Sequence, residues 1–144
     1  MPSSLSLKID SDLAGVGPVA RAVRALCSET LDELALDELE LGVVEALNNV
    51  IKHGYAGQKG SLVQVRVGLK ADKVVVEIID RAPPMPQSAL QPPDPWAGID
   101  EGQPQDLPEG GMGLALIQMT MDEVAYSSRK GVNTLTLTKL LSRK

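Results

Sequence analysis

The sequence predicts an α/β two-layer sandwich, with a mixed, largely antiparallel sheet whose helices cover one face. Three observations predict it. Short runs with an apolar residue at every second position recur along the chain, and that is the period of a half-buried strand. Two stretches of helical periodicity separate the first such run from the second. Later runs are joined in pairs by turns too short for anything but antiparallel neighbours. At 144 residues the chain is read as one domain, 1–144, large enough to bury a core.

Leu5, Leu7 and Ile9 alternate with Ser6 and Lys8 and predict a first strand. Ser11-Asp12 is a helix-start signal, Pro18 suits a first turn, and Val19, Val23, Leu26 and Cys27 recur at helical spacing. A second helix is expected from Asp37, where Asp37-Glu-Leu-Glu40 resembles a capping box, to His53-Gly54. Its apolar stripe is expected to be Leu41, Val44, Leu47 and Ile51, widened by Val43 and Val50. Val63, Val65, Val67 and Leu69 mark a strand, Ala71-Asp72 a turn, and Lys73 to Asp80 a second, more apolar strand.

Eight of the ten prolines then fall between Pro83 and Pro108, beside the only tryptophan, Trp96. So long a loop in one domain is a functional lid or a linker. Gly110-Gly-Met-Gly113 leads into an apolar helix from Leu114 to about Met121. Two strands close the pattern, near 123–128 and 132–139, joined by a turn at Arg129-Lys-Gly131.

Composition excludes several classes. A net charge of −5 and a pI near 4.8 argue against a nucleic-acid partner, which selects a basic surface. No apolar run is long enough to span a bilayer and no signal pattern opens the chain, so a cytoplasmic location is expected. The single cysteine, Cys27, forms no internal disulfide and builds no metal site alone. With no phenylalanine, the core must come from Leu, Val, Ile, Ala and Met.

Three places carry chemistry. On the second helix Glu45 and Asn49 share a face, His53 lies one turn on, and Asn48 and Lys52 flank that line. Asparagine is a mediocre helix former, so two of them beside a carboxylate suggest that the amides are wanted. An amide oxygen is a hard neutral ligand, suited to Mg²⁺ that already faces phosphate. Asp80 ends an apolar strand; ionised, it only accepts hydrogen bonds and could read an exocyclic amine such as that of adenine. Gly110, Gly111, Met112, Gly113 and Leu114 stand at a helix start, where free N–H groups and the helix dipole favour anions.

Together these motifs resemble the Bergerat, or histidine-kinase-like, ATP-binding (GHKL) fold, and within it the anti-sigma factor serine kinases of the RsbW and SpoIIAB type. The likeness runs over nearly the whole chain. Glu45-x-x-x-Asn49 followed by Val-Ile-Lys-His53-Gly-Tyr is similar to the N box of that subgroup. Asp80-Arg-Ala-Pro-Pro-Met85 matches its first glycine box in part, and Gly110 to Ile117 its second. Gly131-Val-Asn-Thr134 resembles the start of its last strand.

The resemblance implies roles for these positions. Glu45 would be the general base toward an acceptor serine and Asn49 the Mg²⁺ ligand. ATP would be bound by Asn48, Asn49, Lys52, His53, Asp80, Met85, Gly110, Gly111, Met112, Gly113, Leu114 and Thr134. Asp80 would take adenine with Thr134 nearby, and residues of about 83–110 would form the ATP lid. It further implies a kinase using MgATP that binds a sigma factor and phosphorylates a STAS-type antagonist on serine, so that the two partners exchange. A homodimer is implied by analogy.

Two features depart from the family pattern. Ala82 and Pro84 replace glycines and should stiffen the loop after Asp80. No Lys or Arg occurs between Arg81 and Arg129, so the lid brings no cation to the phosphates. The alternative is an ATP-binding anti-sigma factor without kinase activity. A histidine-kinase fragment fits poorly, because the only histidine, His53, lies in the nucleotide helix itself.

Overall fold

Alternation along the chain builds the sheet. The structure, a computed structural model, describes residues 3–85 and 109–141, the side chains of 109–113 excepted. Strands β1 (Ser3–Asp10), β2 (Leu62–Leu69), β3 (Lys73–Asp80), β4 (Glu123–Arg129) and β5 (Val132–Leu140) form one sheet in the order β1-β2-β3-β5-β4. Val63, Val65 and Val67 of β2, Val74, Val76 and Ile78 of β3, and Leu135 and Leu137 of β5 are buried on its inner face. Their intervening neighbours stay at least partly exposed on the outer face, apart from Thr138, which is buried too.

Every pairing is antiparallel, which corrects the mixed sheet expected from the sequence. The reason is the position of β5. β4 runs parallel to β3, but β5 inserts between them and pairs antiparallel with both. The β4–β5 hairpin turns at Lys130 (φ 53°) and Gly131 (φ 78°), two consecutive left-handed residues that suit the twist of a two-residue turn.

Three helices supply the second layer: α1 (Val16–Cys27), α2 (Glu33–Asn48) and α3 (Glu109–Thr120). A short 3-10 turn, Leu13–Gly15, capped by Asp12, precedes α1. α2 begins four residues before the expected Asp37, because the Asp32 carboxylate caps it by accepting from Ala35 N at 2.8 Å. Asp37 instead joins Glu33 and Glu40 in ion pairs to one guanidinium of α1, Arg24.

The buried stripe of α2 also differs from the expected one. Leu36, Leu39, Val43, Ala46 and Leu47 face the core, while Leu41 is exposed and Val44 only half-buried. Leucines at 34, 36, 39 and 41 surround the helix, and packing against the sheet, α1 and α3 selects among them. Gly42 lets α3 approach closely, since a Cβ there would lie 2.8 Å from Met121 Cε.

Lys139 of β5 joins the layers. Buried to 7% exposure, its Nζ donates to Glu38 Oε1 of α2 at 2.8 Å and to the Thr120 carbonyl at the end of α3 at 2.6 Å. A cation suits that carbonyl, because the C-terminus of a helix is its negative pole. Lys139→Ala would strand Glu38 and the carbonyl together. A loss of about 2–3 kcal/mol is expected in chemical denaturation, below the range for a fully buried pair because Glu38 is partly wet.

Candidate functional site

The site forms where the C-terminal end of α2 meets the end of β3. Helical bonding loosens there. Asn49 N shares the Ala46 and Glu45 carbonyls, and residues Asn49–Gly54 wind as a π-turn closed by Tyr55 N to Val50 O at 2.8 Å. Wide turns of this kind are rare and concentrate at functional sites. Val50 and Ile51 of the turn remain in the core, while Lys52 and His53 are exposed.

Glu45 and Asn49 lie half-buried on successive turns, as their spacing predicts. Among the described residues Glu45 enters no ion pair, so no cation there holds its carboxylate. Asn49 turns its amide nitrogen inward without a partner. The oxygen is then the outer atom of that amide. Asn48 is half-buried beside them.

Gly54 carries the π-turn against the segment that follows β3. A Cβ at Gly54 would lie 3.0 Å from that of Ala82, so the absence of a side chain permits this approach. Tyr55 adds a second tie: its hydroxyl accepts from Arg81 N at 2.8 Å and donates to Leu62 O at 2.9 Å. The sequence reading assigned no part to this tyrosine, and only its adjacency to the Asn49–His53 motif marked it.

Asp80 is 8% exposed at the end of β3. Its Oδ1 accepts from Ala82 N at 2.9 Å and from Asn133 Nδ2 at 2.8 Å. Burial pushes its carboxyl above the ordinary value, and these two donors oppose that shift. Asn133, on β5, also donates to Ala82 O at 2.7 Å. β-pairing explains the meeting, because Asp80 stands opposite Asn133 while Thr134 stands opposite Ile79 on the outer face. The neighbour of Asp80 is therefore Asn133, in place of the expected Thr134. Further on, Met85 packs against the core and donates its N–H to the Tyr126 hydroxyl of β4 at 2.9 Å.

The glycine segment belongs to a helix that begins earlier than expected, at Glu109. Glycine disfavours helix interiors, which is why the sequence suggested a start at Leu114. The amides of Gly113 and Leu114 fall within the helical ladder, and the first-turn donors without an intrahelical acceptor are those of Glu109, Gly110 and Gly111. Leu114 is buried in the core. Residues 86–108, which include Trp96 and most of the expected lid, lie outside the described residues, as do the side chains of Gly110 to Gly113.

Other chemistry is limited. No cluster of three or more metal-binding His, Cys, Asp or Glu side chains occurs among the described residues. Burial pushes the Cys27 thiol up to about 11, which removes it as a nucleophile. No helix among the described residues is long and apolar enough to cross a membrane.

The profile of the histidine kinase-like ATPase domain family matches residues 9–139. The serine-protein kinase RsbW of Bacillus velezensis is 31% identical over 96% of this chain and 86% of its own length. RsbW of Bacillus subtilis is 30% identical over the same shares of each. The anti-sigma F factor of Clostridium beijerinckii is 30% identical over 76% of this chain and 72% of its own. Among solved structures, that of the RsbU and RsbW domains of a Mycobacterium tuberculosis protein matches 99% of this chain with a TM-score of 0.68. At 21% identity, and with 33% of that chain covered, this likeness shows the fold alone.

Proposed function

The chain belongs to the histidine kinase-like ATPase domain family, among the RsbW-type serine-protein kinases, and from that premise we propose an anti-sigma factor that phosphorylates a STAS-type antagonist on serine with MgATP. One observation carries the proposal. A buried carboxylate that can accept from an amine, Asp80, and a free carboxylate beside an amide, Glu45 with Asn49, lie on two elements joined by the Gly54–Ala82 contact.

Asp80 takes the adenine amine and Glu45 faces the acceptor. Glu45 accepts the serine proton as the serine oxygen bonds to the γ-phosphorus; the bond from phosphorus to the bridging oxygen breaks, and ADP leaves with that oxygen. The chain fits Mg²⁺ in one respect that can be tested: Asn49 presents an oxygen and buries its nitrogen. With no carboxylate cluster among the described residues, the ion would complete its coordination from phosphate and water and would neutralise charge on the phosphates. Lys52 and the first turn of α3 stand as the remaining anion-facing groups. Cytoplasmic location, a sigma factor and a second copy of this chain as partners belong to the same proposal.

A second reading, nucleotide binding without transfer, draws on the absence of Lys and Arg between Arg81 and Arg129. The experiment that separates them follows label from γ-labelled ATP, with Mg²⁺, into dephosphorylated host extract. One small protein labelled on serine is the expected result. Tight ATP binding with no labelled acceptor would select the second reading.

A further inference from the structure

We propose that Tyr55 and Tyr126 are positioning residues that together fix Arg81 to Met85 as one rigid wall beside the Asp80 carboxylate. The inference rests on the adenine site proposed above. These are the only two tyrosines of the chain, and their hydroxyls take the amides at the two ends of that segment.

Every N–H of the segment ends on a side chain. Arg81 N donates to the Tyr55 hydroxyl at 2.8 Å, Ala82 N to Asp80 Oδ1 at 2.9 Å and Met85 N to the Tyr126 hydroxyl at 2.9 Å. Pro83 and Pro84, between them, have no N–H to offer. Among the described residues the segment makes no backbone–backbone hydrogen bond. Its place in the fold is therefore set by the side chains that reach it.

Both hydroxyls are themselves held. Tyr55 follows the π-turn, and its hydroxyl donates onward to Leu62 O at the start of β2 at 2.9 Å. Tyr126 stands on β4 opposite Leu135, which is buried on the inner face of the sheet. Both rings pack against the core. The two pins thus belong to different elements and meet only through the segment they hold.

The middle of the segment is stiff. Proline fixes its own φ and restricts the residue before it, so Ala82 to Pro84 have little freedom. A stiff segment pinned at both ends stays in place as one body. Freeing either end lets the whole wall tilt about the other, and the second pin then holds little. A wall set before the nucleotide arrives also lowers the ordering cost of binding, so the pins should register in affinity. Tyrosines that served only their own elements would act separately.

The test measures equilibrium binding of MgATP. Tyr55→Phe and Tyr126→Phe keep the rings and remove only the hydroxyls. Each should weaken MgATP about fivefold, the scale of one hydrogen bond. The double variant should stay below about tenfold, where independent effects would multiply to about 25-fold. In a Pro84→Gly background the middle no longer transmits the tilt, so adding Tyr126→Phe should change affinity less than about twofold. That background carries the comparison if the double variant fails to fold.

Unchanged affinity in both single variants would overturn the inference. Losses that multiply in the double variant, or a full loss from Tyr126→Phe beside Gly at position 84, would make the tyrosines merely structural and overturn it as well. Wild-type protein that binds no MgATP would instead remove the nucleotide site itself, and the inference with it.

Discussion

Glu45→Gln is expected to slow phosphoryl transfer by roughly 10²–10⁴-fold while leaving MgATP affinity within about twofold. Glutamine keeps the size of the side chain and its place on α2, one turn before Asn49, and removes only the capacity to take a proton. Among the described residues Glu45 holds no salt bridge, so the substitution strands no cation and should leave the unfolding temperature unchanged. Transfer of label and equilibrium nucleotide binding, measured on the same preparation, check the two halves of the expectation. Transfer that survives would remove Glu45 from the chemistry. A parallel collapse of binding would make it a contact to the bound nucleotide.

Asp80→Asn should do the opposite, strongly weakening nucleotide binding without harming the fold. An asparagine can keep one oxygen on Ala82 N and Asn133 Nδ2. Its other branch is then an amide N–H, which would confront the amine of adenine donor to donor. A loss on the order of 100-fold in ATP affinity follows from exchanging a charge-assisted bond for that clash.

Stability should respond differently. Burial raises the folded-state pKa of Asp80 above its unfolded value, so the native state binds more protons across that interval. Asp80 therefore lowers native stability as pH rises through its folded pKa, and the loss persists at neutrality. The asparagine variant should unfold at the same or a higher temperature at pH 7. Its advantage should vanish on acidification below the ordinary carboxylate range, where wild-type Asp80 is itself neutral. Calorimetry of both proteins across pH tests the sign. A variant that unfolds at a clearly lower temperature at pH 7 would show that the charge supports the fold.

The strands were legible because period-two alternation is written residue by residue, and β3 begins and ends where Lys73 and Asp80 suggested. The start of α2 was not. Asp32 and Asp37 both precede apolar residues at capping distance, and what distinguishes them is tertiary: Arg24 holds the second. Its buried face was ambiguous for a related reason, because leucines surround the helix and only its neighbours choose among them.

Near Asp80 the error was one of parity. Leu135 and Leu137 announce the inward face of β5, and Asn133 shares it, so strict alternation could have found the pair that the family pattern assigned to Thr134. The π-turn lay beyond such reasoning. Gly54 and Tyr55 tie it to Ala82 and Arg81, which lie far away in sequence, and no local pattern distinguishes it from an ordinary last helical turn.

The insertion of β5 between β3 and β4 also governs timing. Asp80 meets Asn133 across 53 residues of chain, and Glu38 meets Lys139 across 101. Contacts of such separation form slowly, since loop closure must precede them. During synthesis β3 emerges well before β5, so the Asp80 carboxylate lacks its Asn133 donor until β5 has been made and docked. Nucleotide then binds the finished fold in preference to its precursors and stabilises that state by mass action. On the proposed adenine site, a chain that cannot seat β5 would have no clasp for the base, and retention on immobilised ATP is expected to measure completed folding.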